Sequence, residues 1–97
     1  MGVSHLNKAF DSRIRLGIMA LLLVNDKLNF ITLKETLELS DGNLASHLSA
    51  LEQMEFIRVQ KQFIGRKPNT SYSATVAGRE AFKRHIDGLE KLVQKTD

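Results

Sequence analysis

The chain contains no cysteine. Disulfides and thiolate metal sites are therefore excluded, and a reducing compartment is the natural home. It has one proline and no stretch of low complexity, so nothing in it marks a linker. Its longest apolar run, Ile18 to Val24, is seven residues. A membrane helix needs about twenty. The first residues, Met-Gly-Val-Ser-His-Leu-Asn-Lys, hold no apolar core of signal-peptide length. These absences predict a cytoplasmic protein with no membrane segment, and they make the sequon Asn69-Thr-Ser71 a coincidence. The histidines at 5, 47 and 85 share no H-x-H or H-x-x-x-H spacing, so no metal or other cofactor is expected. His47 as a catalytic base has no Ser, Cys or Asp partner at a recognisable spacing, and no glycine pattern suggests a phosphate loop. The chain does not read as an enzyme.

The most telling absence is local. From Phe56 to Thr75 there is no acid, while Arg58, Lys61, Arg66 and Lys67 fall in the same stretch. Residues 1–40, by contrast, hold five bases and four acids. The net charge of +3 is thus concentrated, and concentration is what a polyanion partner requires.

What is present fits one small domain spanning residues 1–97. Apolar residues are 42% of the chain, ordinary for a globular protein and too many for a disordered one. Asp11 is placed to cap a helix beginning at Ser12 and Arg13. Its apolar stripe, widened by Leu16, Met19 and Leu23, is broader than a surface helix needs, which predicts central burial or a second partner. Asn25-Asp26 closes it. Phe30-Ile31 reads as a short extended piece. Thr32-Leu-Lys-Glu35 matches a capping box opening a short second helix, with Leu33 and Leu37 facing in. Ser40-Asp41 then caps a third helix, in which Leu44, Leu48 and Leu51 form one buried edge. Phe56 to Ile64 suits a strand, Gly65 to Asn69 a turn, and Thr70 to Ala74 a second strand. Thr75 caps a last helix of about twenty residues. Along it Phe82, Ile86, Leu89 and Val93 step by 4, 3 and 4, with Leu92 alongside, like two turns of a coiled-coil seam.

Two short helices joined by a tight turn, the second exposing small polar residues, are helix-turn-helix organisation. Asn43 can pair with adenine, Ser46 with several base edges, and His47 with guanine or phosphate. Each feature also has a plainer reading, as a solvated helix face and a charged turn. Their succession in this order is more specific than either alone.

The positions Ser40, Leu44, His47, Leu48, Leu51, Phe56 and Ile57 resemble the recognition-helix signature of winged helix-turn-helix transcriptional regulators of the ArsR and MarR types. Arg13-Ile-Arg-Leu-Gly-Ile18 resembles the start of their first core helix. Gly65 to Gly78 resembles the wing and the entry to the last helix in a small single-domain subgroup. The resemblance covers about residues 8–93. It implies an α+β winged helix: a three-helix core with a two-stranded β-wing over about 8–75, and a long C-terminal dimerisation helix over 76–95. It further implies a homodimer on double-stranded DNA at a pseudo-palindromic operator, acting as a repressor. The expected DNA-binding residues are Asn43, Ser46, His47 and Ala50 on the helix, and Lys61, Arg66, Lys67, Asn69 and Thr70 on the wing. The expected dimer residues are Phe82, His85, Ile86, Leu89, Leu92 and Val93, with Val76, Ala77 and Ala81 left to serve the chain's own core.

Two departures stand out. Many relatives place glycine where this chain has Glu55, to end the recognition helix in a left-handed conformation. Glu is costly in that conformation, so a different helix end is expected. Metal-sensing relatives use cysteines, which are absent. A winged helix serving as a protein-interaction module in a larger complex is the alternative from another functional class.

Overall fold

A computed structural model describes residues 3–94. Two 3₁₀ turns, Val3–His5 and Lys8–Phe10, precede helix α1, Arg13–Val24. A two-residue strand β1, Leu28–Asn29, runs directly into α2, Phe30–Leu37. Helix α3 is Asp41–Gln53, strands β2 and β3 are Ile57–Ile64 and Lys67–Ala74, and helix α4 is Val76–Leu92. The strands form one antiparallel sheet in the order β1-β3-β2. The fold is α+β and winged helical, but its sheet has three strands where two were expected. The added strand pairs Leu28 with Tyr72 and Asn29 with Ser71.

The helix starts follow side-chain caps. Ser12, one residue beyond the expected Asp11, accepts from the Arg15 amide at 3.3 Å. Ser40 accepts from Asn43 N–H at 3.2 Å and Thr75 from Gly78 N–H at 3.0 Å, both as the sequence predicts. The start of α2 differs from expectation. Asn29 caps it, accepting from Thr32 N–H at 2.7 Å, so Phe30 and Ile31 lie in the first helical turn and not in a strand.

Helix α1 is central. Its Ile18, Met19 and Leu22 are fully buried among Leu33 of α2, Leu44, Leu48 and Leu51 of α3, Ile57 and Tyr72 of the sheet, and Ala81 and Phe82 of α4. The broad apolar stripe therefore reflects burial on several sides. Each such leucine or isoleucine contributes about 1.5–3 kcal/mol by leaving water.

The segment before α1 folds back on α4. The ring of Phe10 packs 5.2 Å edge-on from Phe82, 5.2 Å from His85, and 5.8 Å in a stack with Phe56. The amide of Asn7 donates to Nδ1 of His85 at 3.0 Å, so Nδ1 is the accepting nitrogen of the ring and Nε2 carries the proton. This packing corrects the reading of the last helix. Phe82 and His85 lie inside the chain's own core, not on a free seam, because the N-terminal segment covers them. Val76 and Ala77, expected in the core, are exposed; Ala81 is buried. Ile86 is half-buried, and Leu89, Leu92 and Val93 are exposed.

Candidate nucleic-acid interface

The second and third helices are joined by Glu38-Leu39-Ser40. Glu38 takes the left-handed conformation, with φ 55°. Its amide donates to the Glu35 carbonyl and that of Leu39 to the Lys34 carbonyl, which closes α2 in a Schellman motif. Lys34 and Asp41 then form a 2.7 Å ion pair across the turn. Both ends are solvated, so this pair adds about 1 kcal/mol at most.

With Leu44, Leu48 and Leu51 inward, α3 turns its opposite face to solvent. Asn43 and Ser46 are exposed there, while His47 and Ala50 are half-buried on its flank. The outermost line is Gly42, Ser46, Ser49 and Gln53, spaced 4, 3 and 4, and all four are exposed. Only Ser46 of these is singled out by the sequence reading. The other three are legible as the complement of the leucine edge, since residues half a turn from a buried stripe face water.

The end of α3 keeps the left-handed geometry. Glu55 has φ 63°. Its amide donates to the Glu52 carbonyl at 2.9 Å and that of Phe56 to the Leu51 carbonyl at 3.0 Å, a second Schellman motif. The expectation of a different ending is thus overturned. Glutamate occupies the position although glycine would fit it without strain. Neighbouring contacts hold it there: the Thr75 hydroxyl donates to the Glu55 carbonyl at 2.7 Å, and the Thr75 amide donates to the Phe56 carbonyl at 3.0 Å. One residue thereby joins the end of α3, the foot of the sheet and the start of α4.

The wing is a long hairpin. Ile64 pairs with Lys67, leaving only Gly65 and Arg66 as the turn. Gly65 has φ +65° and Arg66 does not share that sign, the pattern of a type II′ turn. The expected five-residue turn over 65–69 is therefore corrected, since Lys67, Pro68 and Asn69 belong to β3. Proline is tolerated because β1 pairs only with residues 71 and 72, which leaves β3 an edge strand at Pro68 on that side.

Strand alternation sorts the wing residues onto two faces. Lys61 lies opposite Thr70, and this pair faces α3. With Val59 and Tyr72 it bounds a groove of about 240 Å³ whose other wall is Ala45, Leu48, Ser49 and Glu52. Asn69 and Lys67, opposite Gln62 and Ile64, fall on the other face, and Arg66 stands at the turn. The structure thus brings Lys61 and Thr70 to α3 and separates them from Lys67 and Asn69. Burial, and secondarily the negative charge of Glu52, raises the Tyr72 hydroxyl above its ordinary pKa. Glu52 is the acid that faces this groove.

The profile of the winged helix DNA-binding domain family matches residues 14–93. The chain belongs to that family. The fold expected from the sequence resemblance is thereby established. An uncharacterized protein of Methanocaldococcus jannaschii is 42% identical over 85 residues, covering 88% of this chain and 92% of its own length. The solved structure of a transcriptional regulator homologue from Pyrococcus horikoshii OT3 is 33% identical and superposes with a TM-score of 0.78, covering 93% of this chain and 94% of the other. Reduced AbfR, solved bound to DNA, shares the winged helix fold at 14% identity and a TM-score of 0.78, over 97% of this chain and 67% of its own. Among the described residues of this winged helix domain, no helix is long and apolar enough to cross a membrane, and no group of three or more His, Cys, Asp or Glu could hold a metal ion.

Proposed function

We propose that this winged helix chain is a sequence-specific DNA-binding transcriptional regulator, a repressor that binds a pseudo-palindromic operator as a homodimer. One observation carries the reading. An exposed, small and polar face of α3 stands beside a hairpin that has four bases and no acid between residues 56 and 75. On DNA, α3 enters the major groove, and Asn43, Ser46, Ser49 and Gln53 meet base edges. Small residues let the helix axis approach the groove floor. Lys61 and Thr70 hold the strand beside α3, while Arg66 and Lys67 bind phosphates flanking the site. The family membership and the DNA-bound structure of AbfR support this arrangement.

Two copies would join through the exposed apolar end of α4, Leu89, Leu92 and Val93, with Ile86 at its margin. A dimer that places its recognition helices about 34 Å apart meets one face of the duplex in successive major grooves.

Selection of bound sites from a random duplex pool tests the reading, together with titration against random duplex at low and moderate salt. A recovered motif with two-fold symmetry, and affinity that falls steeply with salt, is the expected result. No binding to any duplex at low salt would leave the protein-interaction module as the better description. Replacing Arg66 and Lys67 together with Ala should flatten the dependence of log K on log salt by about one for each phosphate no longer neutralised.

A further inference from the structure

A second concentration of positive charge lies away from the wing. The chain carries +3 overall and residues 56–75 alone carry +4, so the remaining residues sum to −1. Within that slightly acidic remainder, Lys8, Arg84 and Lys91 line one cleft, with Asp87 as its acid. The cleft holds about 570 Å³. Small-molecule sites span about 300–1,000 Å³. None of its lining residues belongs to α3 or the sheet, so it is separate from the surface proposed to meet DNA.

Its construction follows from spacing along α4. Ala81 and Gly88 are two turns apart, and so are Arg84 and Lys91. The small pair forms one row, and the cations form a second row beside it, spread over roughly 10 Å. The opposite wall is the segment from Ser4 to Lys8. Gly88 lets that wall come close, since a β-carbon there would lie 3.2 Å from the His5 carbonyl oxygen and from Leu6 Cδ2. The Asn7 amide, donating to His85 Nδ1 at 3.0 Å, pins the segment to α4. A wall held in this way is preorganised, which lowers the cost of binding.

Charge and lining select the occupant. Lys8, Arg84 and Lys91 are exposed, and among the described residues no carboxylate lies within ion-pair distance of them. Three cations against one acid leave an excess that a dianion neutralises. Arg84 offers the planar fork that matches a carboxylate or a phosphate. Leu6, Ala81 and Gly88 give a carbon skeleton an apolar floor.

We propose that this cleft binds a small organic dianion, a dicarboxylate or a phosphate monoester, held between Lys8 on one wall and Arg84 and Lys91 on the other. Bound there, the anion ties the N-terminal segment to α4 and stabilises the folded chain. Such binding needs no DNA.

The experiment follows thermal unfolding of the full chain with glutarate, glycerol 3-phosphate and inorganic phosphate, each titrated at constant ionic strength against chloride. An organic dianion should raise the midpoint saturably, by roughly 5–10 °C at ten times its Kd. A response to glutarate alone identifies a dicarboxylate site. A response to glycerol 3-phosphate above that to inorganic phosphate identifies a phosphate monoester site. Arg84→Gln combined with Lys91→Gln should weaken binding roughly tenfold or more. Lys83→Gln, exposed on the same helix but outside the cleft, should leave it unchanged. Asp87→Asn should tighten it, since a charge of the anion's own sign is removed. Absence of any saturable rise, or an equal rise in the doubly substituted cleft, would overturn the proposal. Inorganic phosphate acting as strongly as either organic anion would overturn it in favour of an adventitious ion only. Loss of the rise on changing Arg66 and Lys67 to Ala would overturn it and place the anion on the wing. A rise that vanishes as protein concentration increases would overturn it in favour of a second copy seated in the cleft. Each of these results leaves the DNA-binding reading intact, because titration against duplex measures that separately.

Discussion

The hydroxyl of Thr75 donates to the carbonyl oxygen of Glu55 at 2.7 Å, which joins the first residue before α4 to the residue that ends α3. The same hydroxyl oxygen accepts from Gly78 N–H at 3.0 Å, and the Thr75 amide reaches the Phe56 carbonyl. Three chain segments are thus referred to one residue. The orientation of α3 against α4 is fixed by short polar contacts instead of by a flexible loop. In a dimer built through α4, such a joint would set the separation of the two recognition helices.

Two substitutions test the joint. Thr75→Ala removes the cap of α4 and the bond to Glu55 together, and should lower stability by about 1–3 kcal/mol. At Gly78 any β-carbon would overlap the carbonyl oxygen of Phe56. The obstacle is backbone, which cannot swing aside like a side chain, so Gly78→Ala should cost about 3 kcal/mol or more. Urea denaturation of both variants measures the order. Equal and small losses would mean that the close approach relaxes cheaply.

The left-handed residues make the opposite prediction. Glu38 and Glu55 are the non-glycine residues with positive φ among those described. A side chain in that conformation costs about 1–2 kcal/mol, of which glycine gives back part to its freer unfolded chain. Glu55→Gly should therefore raise stability by about 1 kcal/mol, visible as a higher midpoint in thermal unfolding with an unchanged fold. A lower midpoint would show that Glu55 makes compensating contacts.

These positions also mark how far the sequence is legible. The leucine edge of α3 and the caps Ser40 and Thr75 can be read directly, because each is settled within one or two helical turns. Glu55 misleads because local cost argues against the left-handed state, while the contacts that impose it come from Thr75, twenty residues away. Strand β1 is invisible for the same reason. Two residues make a strand only because Tyr72 and Ser71 lie ready to pair with them. Pro68 and Asn69 look like turn residues, and only the short reach of β1 shows why a strand accepts the proline. Phe82 and His85 suit a free seam by spacing alone, since nothing in the α4 periodicity reveals that Phe10 folds back to cover them.

Tyr72 gives a prediction in pH. Its hydroxyl is held above the ordinary value of 10.0, first by burial and then by the charge of Glu52. Below the unfolded-state value both states carry the proton, and the group adds no pH dependence. Above it the unfolded chain loses the proton while the folded chain retains it, so stability falls as pH rises toward the folded value. Tyr72→Phe should remove this alkaline component, and Glu52→Gln should diminish it. Stability measured from neutral pH into the alkaline range checks both. A Tyr72→Phe variant with the same alkaline decline as the parent would assign that decline to other groups.

The apolar end of α4 makes a prediction about assembly that the burial pattern narrows. Phe82 and His85 are committed to the chain's own core, so charge introduced there would test folding and not association. Leu89, by contrast, is 37% exposed, and Leu92 and Val93 more so. Leu89→Glu should leave the fold intact by circular dichroism while converting dimers to monomers by light scattering. Operator affinity should fall with it, since each protomer would then bind one half-site alone and forgo the gain from linking two. A variant that remains dimeric and keeps its operator affinity would locate the interface elsewhere, and would leave Leu92 and Val93 as solvated residues at a helix end.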